Sequence, residues 1–145
     1  MQVHGTFEIT PQFEPPYDVA EGISLGRARF VKTFVGPLAA VSEVHMLAAR
    51  TAVPDSAGYV ALERVTGTLD GRAGTFVLQH SGTMTRGQSA LSVTVVPDSG
   101  TGALRGLSGG MKIDIIERQH RYTFNYELPA AADSVSAAEP LAEAD

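Results

Sequence analysis

Apolar and polar side chains alternate with a period of two along most of residues 1–128, and short clusters of glycine, proline and aspartate interrupt the alternation. A period of two puts successive side chains on opposite faces of an extended strand. The apolar face of the first such run consists of Val3, Phe7, Ile9 and Phe13. The alternation predicts eight strands in all, at residues 3–13, 24–34, 38–50, 59–67, 72–82, 88–96, 111–116 and 120–128.

The turns between these strands carry the residues that tight turns require. Asp70-Gly71 lies between two β-branched runs and predicts a hairpin with a type I′ turn. Residues 14–23, which begin beside a Pro-Pro pair, and the glycine-rich residues 100–110 are expected to be loops. No stretch shows a 3.6-residue period with helix caps, so little helix is expected.

One of the runs places a lysine on an apolar face, and another leaves open which side chains point inward. In residues 24–34, Lys32 falls on the same face as the apolar Ala28, Phe30 and Phe34. In residues 38–50, either Val44 with Met46 or Val41 with Leu47 could be buried, and periodicity alone does not choose between them.

Eight short strands joined by turns are typical of a β-sandwich or a β-barrel. An up-and-down barrel is favoured because closure removes sheet edges that would otherwise promote aggregation. We therefore predict an all-β fold, a single eight-stranded antiparallel β-barrel with little helix, over residues 1–128. Residues 129–145 are rich in alanine and proline, with four acidic residues and no lysine or arginine, and we expect this tail to be disordered.

Charge and composition exclude several classes of partner. Residues 1–128 carry 11 basic and 12 acidic residues, so no basic stripe is available for nucleic acid or for a membrane surface. The chain has no cysteine, which excludes disulfides and thiolate metal sites. The first ten residues lack a secretory signal and no apolar run reaches the ~20 residues of a membrane span. We expect a soluble cytoplasmic protein.

Four segments resemble a known family. They are GTFE at residues 5–8, GYVALERVTGTLDGRAGTFVLQHSGT at 58–83, VPDSGTGALRGLSG at 96–109 and HRYTFNYEL at 120–128. In this order they are similar to the bacterial DUF3224 family, and the resemblance extends over roughly residues 4–128. It implies a small antiparallel barrel like that of allene oxide cyclase, often assembled into homo-oligomers, and it implies no particular activity.

Glu63 is the first candidate for chemistry, because it lies in the middle of a strand on the same face as Tyr59, Ala61 and Val65. Inside a barrel it would be a desolvated carboxylate with a raised pKa, suited to general acid or base catalysis. The alternative is a structural carboxylate whose partners are Arg64, Arg72 or backbone donors.

His80 is the second candidate and shares a face with Phe76 and Leu78. A neutral imidazole there could exchange a proton with a ligand, or it could be an ordinary core histidine. Ser81 is not its catalytic partner, because neighbouring strand residues point to opposite faces. The four histidines lie on four predicted strands without metal-ligand spacing, so neither a metal nor another cofactor is expected.

An aromatic stripe on the last strand could line a pocket, or it could be ordinary core; its members are His120, Tyr122, Phe124 and Tyr126. The preferred interpretation is a barrel that binds a small, largely apolar ligand. Its expected ligand-binding residues are Tyr59, Glu63, His80, His120, Tyr122 and Tyr126. One alternative is an isomerase or cyclase in which Glu63 and His80 transfer a proton, and another is a structural homo-oligomer without a ligand.

Overall fold

The computed structural model describes residues 1–129, which form nine β-strands and one 3₁₀ turn. The strands are β1 (Gln2–Phe13), β2 (Asp18–Ala20), β3 (Ile23–Val35), β4 (Leu38–Arg50), β5 (Ala57–Leu69), β6 (Arg72–Thr85), β7 (Gln88–Val95), β8 (Ser108–Ile116) and β9 (Gln119–Glu127). The 3₁₀ turn spans Gly102–Leu104. The disorder expected for residues 129–145 concerns a segment that lies, apart from Pro129, outside the described residues.

The sheet closes on itself. From β3 to β9 each strand pairs antiparallel with the next, and β1 pairs with both β9 and β3. Eight strands therefore form a closed antiparallel barrel, which confirms the predicted fold. The short strand β2 pairs only with the start of β3, within the segment 14–23 that was expected to be a loop. The segment was misassigned because it contains only three paired residues, too few to show alternation.

Two local predictions can be compared directly with the backbone. Asp70 and Gly71 both have positive φ, 50° and 83°, as the predicted type I′ turn requires. On β4 the inward residues include Ser42, Val44 and Met46, whereas Val41 and Leu47 are about half exposed. The self-association expected from the family resemblance remains a prediction.

The two ends of the barrel differ. At one end, the segment between β7 and β8 folds over the opening and buries Leu104 and Leu107 against the aromatic core. At the other end, the β4–β5 loop and the β6–β7 turn surround an opening. A cavity lies at this second end, so it is the end at which we look for a site.

The wall of the barrel is not equally strong all round. β5 and β6 are paired over thirteen positions, from Ala57 with Met84 to Leu69 with Arg72. Within the described residues, β7 and β8 are paired only through Thr94 and Gly110. The segment after β7 bonds instead to β6, where the Thr101 hydroxyl accepts from the Thr75 backbone N–H at 3.0 Å.

Candidate functional site

Glu63 lies at the centre of a polar network inside the barrel, with none of its surface exposed. Its Oε1 accepts from Lys32 Nζ at 3.2 Å and lies 2.7 Å from His80 Nε2. Its Oε2 accepts from the Ser42 hydroxyl at 2.6 Å. Four consecutive strands, β3 to β6, thus contribute one inward polar side chain each, in positions that the alternation otherwise gives to apolar residues.

The pKa of Glu63 differs from the sequence-based expectation. Burial raises it, but the hydrogen bond from His80, the charge of Lys32 and the hydrogen bond from Ser42 together outweigh burial. The pKa is therefore lowered, and the expected raised pKa is wrong. The expected arginine partners are also wrong, because Arg64 points outward from the adjacent strand position and Arg72 is exposed at the start of β6.

Lys32 is the counter-charge of Glu63 and is itself almost fully buried. Its Nζ lies 4.7 Å from the centre of the Phe7 ring and 5.8 Å from that of Phe34. Aromatic faces attract a cation, so the two rings add to the attraction of the carboxylate. Sequence reasoning placed Lys32 on an apolar face but did not assign it to the site, and it missed Ser42. A lysine at an inward position of an alternating strand is the signal that could have identified it.

Tyr59 extends the network toward the open end. Its hydroxyl lies 3.4 Å from His80 Nδ1, on the ring nitrogen opposite the one that faces Glu63. Burial and the negative charge of Glu63 raise the pKa of Tyr59, so this group remains a neutral phenol near pH 7. Tyr59, His80 and Glu63 form a continuous chain from the half-buried phenol to the sealed carboxylate.

Gly82 determines where the Tyr59 ring can lie. The two residues are opposite each other in the β5–β6 pairing, and the ring covers the glycine. A Cβ at position 82 would come within 2.6 Å of a Tyr59 ring carbon and 3.3 Å of Leu91. An aromatic side chain packed over a glycine on the paired strand is a recurrent device in β-sheets. Here it directs the phenol toward His80.

A cavity of about 700 Å³ occupies the open end. Its apolar wall residues include Met46, Ala48, Met84 and Leu91, and Tyr59 with Gly82 forms part of the same wall. Arg50, Asp55 and Ser89 lie around its mouth. The pairing of β4 to β7 places Tyr59 one inward position above His80, between the mouth and the buried network.

The residues expected to bind a ligand lie in three parts of the barrel. Tyr59 lines the cavity, and Glu63 and His80 lie beneath it. His120 is half-buried across the barrel, with its ring centre 5.0 Å from that of Phe7. The remaining two, Tyr122 and Tyr126, are buried toward the closed end.

Both tyrosine hydroxyls at the closed end have partners in the fold. Tyr122 accepts from the Leu38 backbone N–H at 3.1 Å. Tyr126 donates to the Asp70 carboxylate, and burial together with this bond raises the pKa of Tyr126 to about 12. A ligand-binding role for these two residues and for His120 stays a prediction.

Among residues 1–129, no group of three or more histidine, aspartate or glutamate side chains is placed to hold a metal ion. No helix in this part of the chain is long and apolar enough to cross a membrane.

The lowered pKa of Glu63 predicts a specific pH dependence of stability. The group stabilises the folded state above its ordinary pKa of 4.5, and that contribution is lost as the pH falls through the lower folded value. The unfolding free energies of wild type and Glu63→Gln, measured by urea denaturation, should therefore converge as the pH is lowered from neutrality to below 4.5.

Glu43→Gln is the matched control, because the Glu43 side chain is about half exposed on the outer face of β4, beside Arg29 and His45. Its unfolding free energy should remain close to that of wild type across the same range. A gap between wild type and Glu63→Gln that stays constant down to the acid limb would contradict the assigned ionisation.

Comparison with known proteins identifies a family and a similar solved structure. The model of the family described as "Protein of unknown function (DUF3224)" matches residues 3–126. A crystal structure of a protein with unknown function from the DUF3224 family, from Shewanella oneidensis MR-1, is 46% identical and superimposes with a TM-score of 0.85. The match covers 90% of this chain and 98% of that one. No curated protein matches the chain.

Proposed function

The chain belongs to the DUF3224 family, whose description assigns no activity, and we propose from the site itself that the barrel binds a small, largely apolar molecule in the cavity at its open end. The observation that carries this proposal is a cavity of about 700 Å³ with apolar walls that ends at a single tyrosine backed by a buried polar network. Ligand sites are typically concave and mostly apolar, with a few polar groups that orient the ligand.

The volume and the walls indicate the kind of molecule. A cavity of this size lies within the range of sites for drug-sized ligands. The deeper wall offers apolar contact through Met46, Ala48 and Leu91. The charged residues among the described lining residues, Arg50 and Asp55, lie at the mouth. A ligand with one polar group and an apolar body would bury that body and place the polar group near Tyr59.

Blocking the cavity tests the proposal. Ala48→Trp places an indole inside the cavity, and Met84→Trp places one at its mouth. We expect either variant to weaken binding of the neutral fluorescent probe N-phenyl-1-naphthylamine at least tenfold, because the probe and the indole compete for the same volume. Binding is measured by titrating the full chain with the probe and following its emission.

Leu47→Trp is the matched control, because Leu47 precedes Ala48 on β4 and points outward. It should bind the probe as wild type does. Circular dichroism on all three variants checks that the fold is retained. Saturable binding that is equally strong in wild type, Ala48→Trp and Met84→Trp would place the probe elsewhere and overturn the proposal.

A second candidate function is proton transfer, and the Tyr59–His80–Glu63 chain is the observation that favours it. A buried carboxylate that orients a histidine, which in turn faces a hydroxyl, is a recurrent arrangement of general acid and base groups. Glu63 and His80 are both buried and only Tyr59 of the three lines the cavity, so Tyr59 would be the group that meets a substrate and His80 would act through it.

This candidate predicts that wild type accelerates exchange of the methyl hydrogens of 2-acetylnaphthalene in heavy water, followed by proton NMR. His80→Gln should lose the acceleration while retaining probe binding in the cavity. Exchange at the uncatalysed rate in wild type that has the ketone bound would exclude this function for the site and leave binding.

A further inference from the structure

The hydrogen bonds of the buried network have a direction that begins at Glu63. An ionised carboxylate can only accept hydrogen bonds, and Glu63 is held in its ionised form by the adjacent Lys32. His80 Nε2, 2.7 Å from the carboxylate, must therefore carry a hydrogen and donate it. The partner thus determines which ring nitrogen is protonated.

Charge balance decides the state of the other ring nitrogen. The positive charge of Lys32 already neutralises Glu63, and His80 is only 4% exposed. A second positive charge on His80 would have no counter-charge within the network, and burying an unpaired charge is costly. The groups that face His80 from the packed strands are Tyr59, Glu63 and Lys32, so no other described acid in the network would offset that charge.

With His80 neutral, Nδ1 is an acceptor, and the only hydrogen available to it in the network is that of the Tyr59 hydroxyl. The Tyr59 O–H therefore donates inward to His80. The phenol oxygen keeps its lone pairs for whatever approaches from the cavity. The Tyr59 hydroxyl therefore presents a hydrogen-bond acceptor to the cavity, although a tyrosine hydroxyl can in general either donate or accept.

We propose that the ligand of this cavity is a small apolar molecule whose polar group is a hydrogen-bond donor, an alcohol or a phenol, received by the oxygen of Tyr59. This inference rests on the proposed function and specifies the ligand class. An ether or a ketone would bring a second acceptor against the phenol oxygen. A carboxylate would bring a negative charge toward Glu63, whose field already disfavours ionisation of Tyr59.

Two probes with the same ring system test the direction of the bond. 2-Naphthol carries a donor, whereas 2-methoxynaphthalene is nearly the same size and can only accept. We expect wild-type protein to bind 2-naphthol about threefold to tenfold more tightly at neutral pH, the range expected for one net hydrogen bond. Each dissociation constant is measured by isothermal titration calorimetry on the full chain.

Two variants assign the preference to Tyr59. Tyr59→Phe removes the phenol oxygen, and Gly82→Ala displaces the ring while keeping the oxygen; each should reduce the preference to less than twofold. Tyr17→Phe is the control, because Tyr17 is exposed on the outside beside Arg27 and should leave the preference unchanged.

The outcomes separate this inference from the proposed function. Equal binding of the two probes, tighter binding of 2-methoxynaphthalene, or a preference that survives in Tyr59→Phe would overturn the donor assignment and leave cavity binding intact. Absence of saturable binding for either probe, with N-phenyl-1-naphthylamine also failing to bind, would overturn both.

Discussion

Glu63→Gln should lower the unfolding free energy by about 3–5 kcal/mol at neutral pH. The substitution preserves shape and leaves an amide that can still bond to Ser42 and His80, so its main effect is to remove one negative charge. Lys32 then remains a buried cation, 5% exposed, without its counter-charge. Urea denaturation followed by circular dichroism measures the effect, since the chain has no tryptophan to report on unfolding.

A double variant shows whether the loss comes from the pair. Lys32→Met combined with Glu63→Gln removes both charges and leaves an unbranched apolar chain between the Phe7 and Phe34 rings. We expect the double variant to recover most of the stability, because neutral replacement of a buried ion pair is often tolerated. A single variant within about 1 kcal/mol of wild type, or a double variant no more stable than the single one, would show that the charges are not coupled.

Gly5→Ala should also destabilise the barrel strongly, by about 3 kcal/mol. Gly5 lies on β1 where the barrel closes, opposite Tyr122 of β9 and next to the end of β3. An added Cβ would overlap both the Val35 carbonyl oxygen and the Tyr122 hydroxyl. Backbone cannot give way as a flexible side chain can, so the closure itself must shift. Urea denaturation measures the loss.

Gly26→Ala provides the comparison for this prediction. Gly26 is also a strand glycine, on β3, but the nearest atom to an added Cβ is the Pro16 Cα at 3.9 Å. Its substitution should be neutral or slightly stabilising, because alanine is favoured over glycine in regular structure by roughly 0.5–1 kcal/mol. If Gly5→Ala unfolds at the same urea concentration as Gly26→Ala, the close packing around Gly5 does not affect the free energy of unfolding as expected.

The architecture could be predicted from the sequence because it depends on local signals. Alternation defines strands, Asp70-Gly71 defines a hairpin, and eight strands without helices leave few ways to hide their edges. Alternation also showed that Glu63 and His80 point to the same side as the core. These signals lie within single segments and require no knowledge of which strands are neighbours.

The chemistry of the site could not be predicted in the same way, because it depends on the register between strands. Two of the partners of Glu63, Lys32 and Ser42, are 31 and 21 residues before it, and nothing in one strand reveals which residue of another strand it meets. The pKa of Glu63 was therefore expected to change in the wrong direction, since burial was visible in the pattern and the compensating charge was not. The inward side of β4 could not be decided from the sequence either, because both of its faces carry apolar residues.

The short pairing between β7 and β8 is the part of the barrel wall that should open most easily. Every other junction of the barrel is held by a longer ladder of backbone bonds, so thermal fluctuations that separate neighbouring strands should begin at Thr94 and Gly110. Such an opening would turn the cylinder into a curled sheet without breaking the polar network, whose members all belong to β3, β4, β5 and β6. The buried charges therefore lie among the most extensively paired strands, on the part of the wall that such an opening would leave intact.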